Sequence, residues 1–239
     1  MRVALIQTRL FGRTDWRSVL RGVAAFGFVL ALPAWCFSGP HEWKLLFDGK
    51  SLDGWKAAAY HGSGKVGVRH EAIVMERGKA MTGVVYTRHF PKGDYEVTLE
   101  GKRLAGHDFF CTTTFPIGNA YCSFVVSGWG GSIVGLSSIN NLDASQNETS
   151  RTREFEQYRW YRIRIRVSPK RIEAWIDNSK LVDLDTTDRL ISTRMECNAC
   201  KPFGIATYDT TGAVRAIRIR RLTKADLKAI AATPQRTED

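Results

Sequence analysis

Between Tyr161 and Val167 the chain alternates without exception: Ile163, Ile165 and Val167 are interleaved with Arg162, Arg164 and Arg166. A period of two sends neighbouring side chains to opposite faces, so this segment is a strand with one apolar and one charged face. The pattern returns in Val214–Arg220, where Ile217 and Ile219 alternate with Arg218 and Arg220. Turn residues recur about every ten residues across 41–222, and helical periodicity is nearly absent there. Strands that follow one another without crossover helices pair antiparallel. The expected class is all-β: a two-sheet antiparallel sandwich.

The individual strands follow from the same rule. Gly83–Phe90 reads as a strand ended by Pro91-Lys92-Gly93, and Tyr95–Leu99 alternates. Phe109–Phe115 and Tyr121–Ser127 flank a Pro-Ile-Gly turn and read as a hairpin. Arg171–Asp177 and Leu181–Leu184 form a second hairpin through Asp177-Asn178-Ser179-Lys180, since Asp and Asn tolerate turn geometry. Phe203–Tyr208 and Val214–Arg220 are the last strands, while Ser137–Thr152 reads as a long polar loop. Thr223 followed by Asp226 is a helix-capping pattern and predicts a short C-terminal helix. Neither an internal repeat nor a second domain is visible. The division expected is 1–38, 39–223, and 224–239 as helix and tail.

Residues 1–38 read as an exported leader. Arg2, Arg9, Arg13, Arg17 and Arg21 precede the apolar stretch Gly22–Trp35. Charged first and apolar next is the order of a secretory signal peptide. The stretch is shorter than the ~20 residues needed to span a bilayer. Cleavage near Ala34–Ser38 predicts a periplasmic or extracellular protein with no stable membrane span. Two alternatives are lipidation at Cys36 and retention of the segment as an anchor. The leader holds five Arg and one Asp, so the net charge of +11 falls to +7 once it is removed. The remaining charge lies largely on the Arg ladders. Without a recognition helix or a stacking ribbon they read as a solvated sheet face that discourages edge pairing, not as a nucleic-acid surface. An anionic glycan or envelope surface is the remaining reading of that face.

Beyond Cys36 the chain holds Cys111, Cys122, Cys197 and Cys200, an even number suited to an oxidising compartment. Cys111 and Cys122 flank the first hairpin, and Cys197-Asn198-Ala199-Cys200 is a C-x-x-C. One such pair with no His nearby does not make a zinc site. Disulfides and inert thiols both remain open.

The opening segment Trp43-Lys44-Leu45-Leu46-Phe47-Asp48-Gly49-Lys50-Ser51-Leu52-Asp53-Gly54-Trp55 resembles that of the 3-keto-disaccharide hydrolase domain family. The close, Phe203-Gly204-Ile205-Ala206-Thr207-Tyr208-Asp209 with Ile219-Arg220-Arg221-Leu222, is similar to the family's end. The resemblance runs over about residues 41–223. It implies a concanavalin-like jelly roll, export, and cleavage of glycosides oxidised to a ketone at C3. Mid-chain, His107–Phe115 and the Gly-rich Gly128–Gly135 depart from the family's commoner pattern, so no catalytic residue is carried over.

A ketone at C3 acidifies the C2 proton and leaves the C1 substituent placed for elimination, so one base and a stabiliser for the enolate suffice. Asp108, beside His107 at a strand mouth, is one candidate acid/base group; Asp143 and Glu148 in the long loop are the others. Asn141 offers an amide to sugar hydroxyls, Trp129 between glycines offers a flat stacking face, and Tyr208-Asp209 end a strand. The loop oxygens also suit Ca²⁺ or another divalent ion, although no metal or other cofactor is indicated. Asn147-Glu148-Thr149 fits a glycosylation sequon. The partner expected is a saccharide, and nothing in the pattern fixes the oligomeric state. Three functions compete: a 3-keto-glycoside hydrolase or lyase, a non-catalytic lectin-like binding module, and an envelope protein using its basic face.

Overall fold

A computed structural model describes residues 42–234. The leader expected at 1–38, Cys36 and the tail from 235 lie outside the described residues.

The strands in chain order are β1 (Lys44–Leu45), β2 (Trp55–Ala57), β3 (Val66–Arg69), β4 (Ala72–Met75), β5 (Met81–Tyr86), β6 (Tyr95–Gly106), β7 (Thr112–Ile117) and β8 (Ala120–Gly128). There follow β9 (Ile133–Ser137), β10 (Arg151–Thr152), β11 (Trp160–Ser168), β12 (Arg171–Ile176) and β13 (Ser179–Asp185). A 3-10 helix, Met195–Cys200, precedes β14 (Gly204–Tyr208), β15 (Thr210–Arg221) and the helix α1 (Lys224–Ala232). The first sheet runs β13-β12-β11-β6-β15-β4-β3, with β1 also on β15; the second runs β10-β9-β8-β7-β14-β5-β2. Every strand pairing is antiparallel. This is the expected two-sheet jelly-roll sandwich.

The alternation decides which faces meet. Tyr161, Ile163, Ile165 and Val167 of β11 are fully buried and lie opposite Gly101, Leu99, Val97 and Tyr95 of β6. From the second sheet, Phe115, Cys122, Phe124, Val126, Val134, Leu136, Val84, Tyr86 and Ile205 face them in one continuous core. Phe203 stacks on Phe90 with ring centroids 4.2 Å apart, closing one end of it. Hence β5 stops at Tyr86, short of the expected Phe90, whose ring turns into the core from the following bend.

Other boundaries move for similar reasons. The strand expected from Phe109 begins at Thr112, because Phe110 and Cys111 are both buried in the core and break the alternation. β6 extends to Gly106, beyond the expected Leu99. The long loop at 137–152 is ordered: Ile139 bridges Leu142 and Ile191, and β10 closes its end. Asn147 organises it. Its buried amide donates to the carbonyls of Leu136, Leu142 and Asp143, so the sequon asparagine is consumed internally. The second hairpin turns at Asp177-Asn178 as expected, with Asp177 at φ 56°. The cap of α1 also forms, a reciprocal box between Thr223 and Asp226. The Thr223 N–H, helped by Arg220, holds the Asp226 carboxyl down to about 2.

The Arg ladders are not simply solvated. Arg166 pairs with buried Glu173 at 2.5 Å, Arg215 with Glu100 at 2.7 Å, and Arg220 with buried Glu96. Arg164 lies 3.7 Å over the Trp175 ring. The charged face of the first sheet is an interlocked lattice of both signs.

Candidate functional site

The outer face of the second sheet carries a small second apolar cluster: Ala58, Met81, Ala206, Cys197 and Cys200. The last two come from the 3-10 helix, which lies on this face. Small residues beneath make room for it. A side chain at Gly204 would stand 2.6 Å from both the Cys200 and Val84 carbonyl oxygens, so only glycine lets helix and sheet approach. Burial raises both thiols, Cys200 to about 12, with Tyr60 Oη 3.2 Å from its sulfur. Cys111 and Cys122 sit in the main core and are pushed up likewise. All four cysteines are free, so the disulfide alternative is replaced by inert packed thiols.

Beside this helix the sheet face stays open as a pocket of about 240 Å³. Its walls are Asp108, Trp129, Arg194, Glu196 and the pair Phe109–Tyr208; Thr112, Val125 and Ser137 come from the sheet itself. That volume suits one sugar ring among aromatic and polar groups. A larger open groove of about 990 Å³ at the other end of β7 and β8 has no Phe, Tyr or Trp in its walls and only Asp94 as a carboxylate. The smaller pocket is therefore the chemically equipped one.

Each wall is fixed by its own local structure. Asp108 Oδ1 accepts the Phe109 N–H at 2.7 Å, and Oδ2 accepts the Gly130 N–H at 2.9 Å. The second bond ties down the Trp129 turn. That turn needs Gly131, which sits at φ 114° where any side chain would collide with the His107 carbonyl. Trp129 itself is 41% exposed and lies under the Arg194 guanidinium, 5.6 Å from its ring centroid. Arg194 is clamped from two sides. Its Nη1 donates to Asp143 Oδ2 at 2.6 Å and its Nη2 to Glu196 Oε1 at 2.8 Å. These bonds hold the Glu196 carboxyl below the usual glutamate range. The pair is thus intact at neutral pH and opens only as pH falls through that lowered value. The Phe109 and Tyr208 rings, 5.7 Å apart, make the remaining wall.

Of the residues singled out from sequence, Asp108, Trp129, Tyr208 and Cys197 line the pocket. Asp143 reaches it only through Arg194. Glu148 pairs with Arg189 at 2.5 Å, away from the walls. His107 is exposed and is not a wall; its carbonyl accepts from Arg103. Asn141 is exposed at a left-handed turn, φ 65°, outside the pocket. Asp209 pairs with Arg77 at 2.5 Å, next to Tyr208 but not in the wall. Among the described residues no three His, Cys, Asp or Glu side chains group as metal ligands; the loop carboxylates Asp143 and Glu148 face arginines. Arg194 and Glu196 escaped sequence reasoning. Their only signal is a charged Arg-x-Glu directly before a C-x-x-C.

Comparison with known proteins bears on the family and the fold. Residues 42–220 match the 3-keto-alpha-glucoside-1,2-lyase-like domain. Among solved structures, the apo Crh5 transglycosylase aligns at a TM-score of 0.52 and 14% identity, over 76% of this chain and 84% of that one. A putative glycosyl hydrolase from Parabacteroides distasonis aligns at 0.48 and 14% identity, over 76% and 94%. The carbohydrate-binding module CBM66 from Bacillus subtilis aligns at 0.49 and 11% identity, over 70% and 95%. At that identity the likeness to the transglycosylase is one of fold. No curated protein matches the chain.

Proposed function

Since the chain belongs to the 3-keto-alpha-glucoside-1,2-lyase-like domain family, a carbohydrate-active group, we propose that it cleaves 3-keto glycosides by elimination in the pocket beside the 3-10 helix. The observation that carries this reading is the convergence of a fixed carboxylate, a clamped guanidinium and three aromatic rings on one cavity of sugar size.

In this reading the ring stacks against Trp129 and Tyr208. Asp108 takes the C2 proton, the electron pair moves toward the ketone, and Arg194 stabilises the developing enolate oxygen. The C1–O bond then breaks. The aglycone leaves with the C1–O bonding pair and takes up a proton, while the enolate pair forms a C1=C2 double bond conjugated to the restored ketone. Addition of water across it completes a net hydrolysis. Asp108 suits the base role because two backbone N–H groups fix its orientation while each oxygen keeps a lone pair. Glu196 and Asp143 act as positioning residues that hold Arg194.

A chromogenic 3-keto-α-glucoside tests the proposal. Release of the aglycone by the purified protein, and not from the parent glucoside, is expected. Binding without release reassigns the pocket to a lectin-like module, which needs the aromatic walls but not the Asp108–Arg194–Glu196 set.

Export belongs to the same proposal, supported by the charged-then-apolar order of residues 1–38. N-terminal sequencing of the mature protein is expected to begin near Ala34–Ser38. A chain that still begins at Met1 overturns cleavage.

A further inference from the structure

The floor of the pocket holds a hydroxyl with nothing to bond. Thr112 is 1% exposed and lines the cavity, and its Oγ1 is buried without a hydrogen-bond partner among the described residues. Neighbouring hydroxyls have partners: Thr113 donates to the Cys111 carbonyl at 3.1 Å, and Thr114 and Ser123 bond each other at 2.9 Å. Buried polar groups are ordinarily paired, because an unmade bond leaves the desolvation penalty uncompensated. A strand position of this shape accepts valine equally well, so the sheet has no need of the oxygen. The other buried orphan atom among the described residues, Arg103 Nε, belongs to a guanidinium already tied to His107, Ser127 and Phe155.

The surroundings sharpen the point. Met81, Phe109, Val125 and Cys197 share the cavity wall with Thr112. A ring settling on this floor lies against apolar atoms and the Thr112 side chain, whose hydroxyl has no partner. Two hydroxyls facing each other there leave one proton without an acceptor. A hydroxyl facing a carbonyl leaves none.

We infer that Thr112 is a sugar-binding residue whose hydroxyl donates to the ketone oxygen of the sugar, which carries no proton of its own, and that it selects the ketone form over the parent sugar. The inference rests on the elimination reading above, from which the ligand class is taken.

The variant Thr112→Val tests it through three measurements: thermal unfolding of the free protein, KM and kcat on a 3-keto-α-glucoside, and calorimetric binding of that sugar and its unoxidised parent. The expected result is an unfolding temperature equal to or above wild type, together with a KM and Kd for the ketosugar raised about 10- to 100-fold. The preference over the parent sugar shrinks by a similar factor. A lower unfolding temperature with unchanged KM overturns the inference, since the hydroxyl is then structural. If wild type turns the ketosugar over and the variant keeps its KM, Thr112 is excluded while the elimination reading stands. If wild type binds the sugar without turnover, the calorimetric arm still decides Thr112. If it binds neither sugar, both fall.

Discussion

Replacing Asp108 by Asn is expected to lower kcat on a 3-keto-α-glucoside by about 10²- to 10⁴-fold, the usual contribution of a positioned general base. Asparagine keeps the volume and one acceptor oxygen, so one of the two backbone N–H bonds survives; the amide turns a donor toward the other. Some loosening of the Trp129 turn follows from losing the Gly130 bond. The two effects separate in the kinetics. Loss of the base lowers kcat with KM within a few-fold, whereas a displaced Trp129 raises KM first. Substrate deuterated at C2 adds an independent reading, for wild type is expected to show a primary isotope effect on kcat/KM. A variant that retains more than about a tenth of wild-type kcat removes Asp108 from the base role and leaves Glu196 as the only other carboxylate in the wall.

The same residue shows how much of the site the sequence disclosed. Asp108 was visible because a charged pair before an apolar run marks a strand mouth, and Trp129 because an aromatic between glycines needs a reason. Its partner His107 looked equally good, yet its side chain stands exposed in the bend after β6, outside the pocket, while its carbonyl accepts from Arg103. Asp143 was identified for its charge and serves through it, but as the anchor of Arg194. Arg194 and Glu196 were invisible. They flank Met195 at the start of a six-residue helix without periodicity, more than 80 positions after Asp108 in the chain. Only the β5–β14–β7 pairing, which brings distant segments side by side, puts them against the pocket. The sandwich itself was legible because period two is a local property; the pocket was not, because it is assembled from six separate segments. The disulfide question needed the fold as well, since only the layers reveal that two cysteines lie between the sheets and two outside them.

The Arg ladders were legible as strands but not as a lattice, and the lattice carries the second large effect. Glu173 of β12 is 2% exposed, takes Arg166 at 2.5 Å and Lys180 at 2.6 Å, and sits two residues from Trp175, over whose ring both cations lie. Its charge joins the two cations, with Asp183 also taking Lys180 at 3.0 Å and the Trp175 ring beneath both. Glu173→Gln keeps the shape and removes the charge. Breaking a buried pair in this way costs about 3–5 kcal/mol when the abandoned charge stays buried. Here Arg166 and Lys180 are each about a quarter exposed and can turn toward water, which places the cost at the lower end, near 3 kcal/mol. For a chain of this size that lowers the unfolding temperature by roughly 6–12 °C. The control is Asp53→Asn, which removes an exposed partner of Arg88 and is expected to change stability by less than about 1 kcal/mol. The comparison also bears on function. If the acids neutralise the ladder, Glu173→Gln uncovers positive charge and strengthens retention on a polyanionic column relative to wild type. Unchanged stability and unchanged retention together would mean that Glu173 does not hold the lattice, and the basic face would return as a candidate surface for anionic polymers.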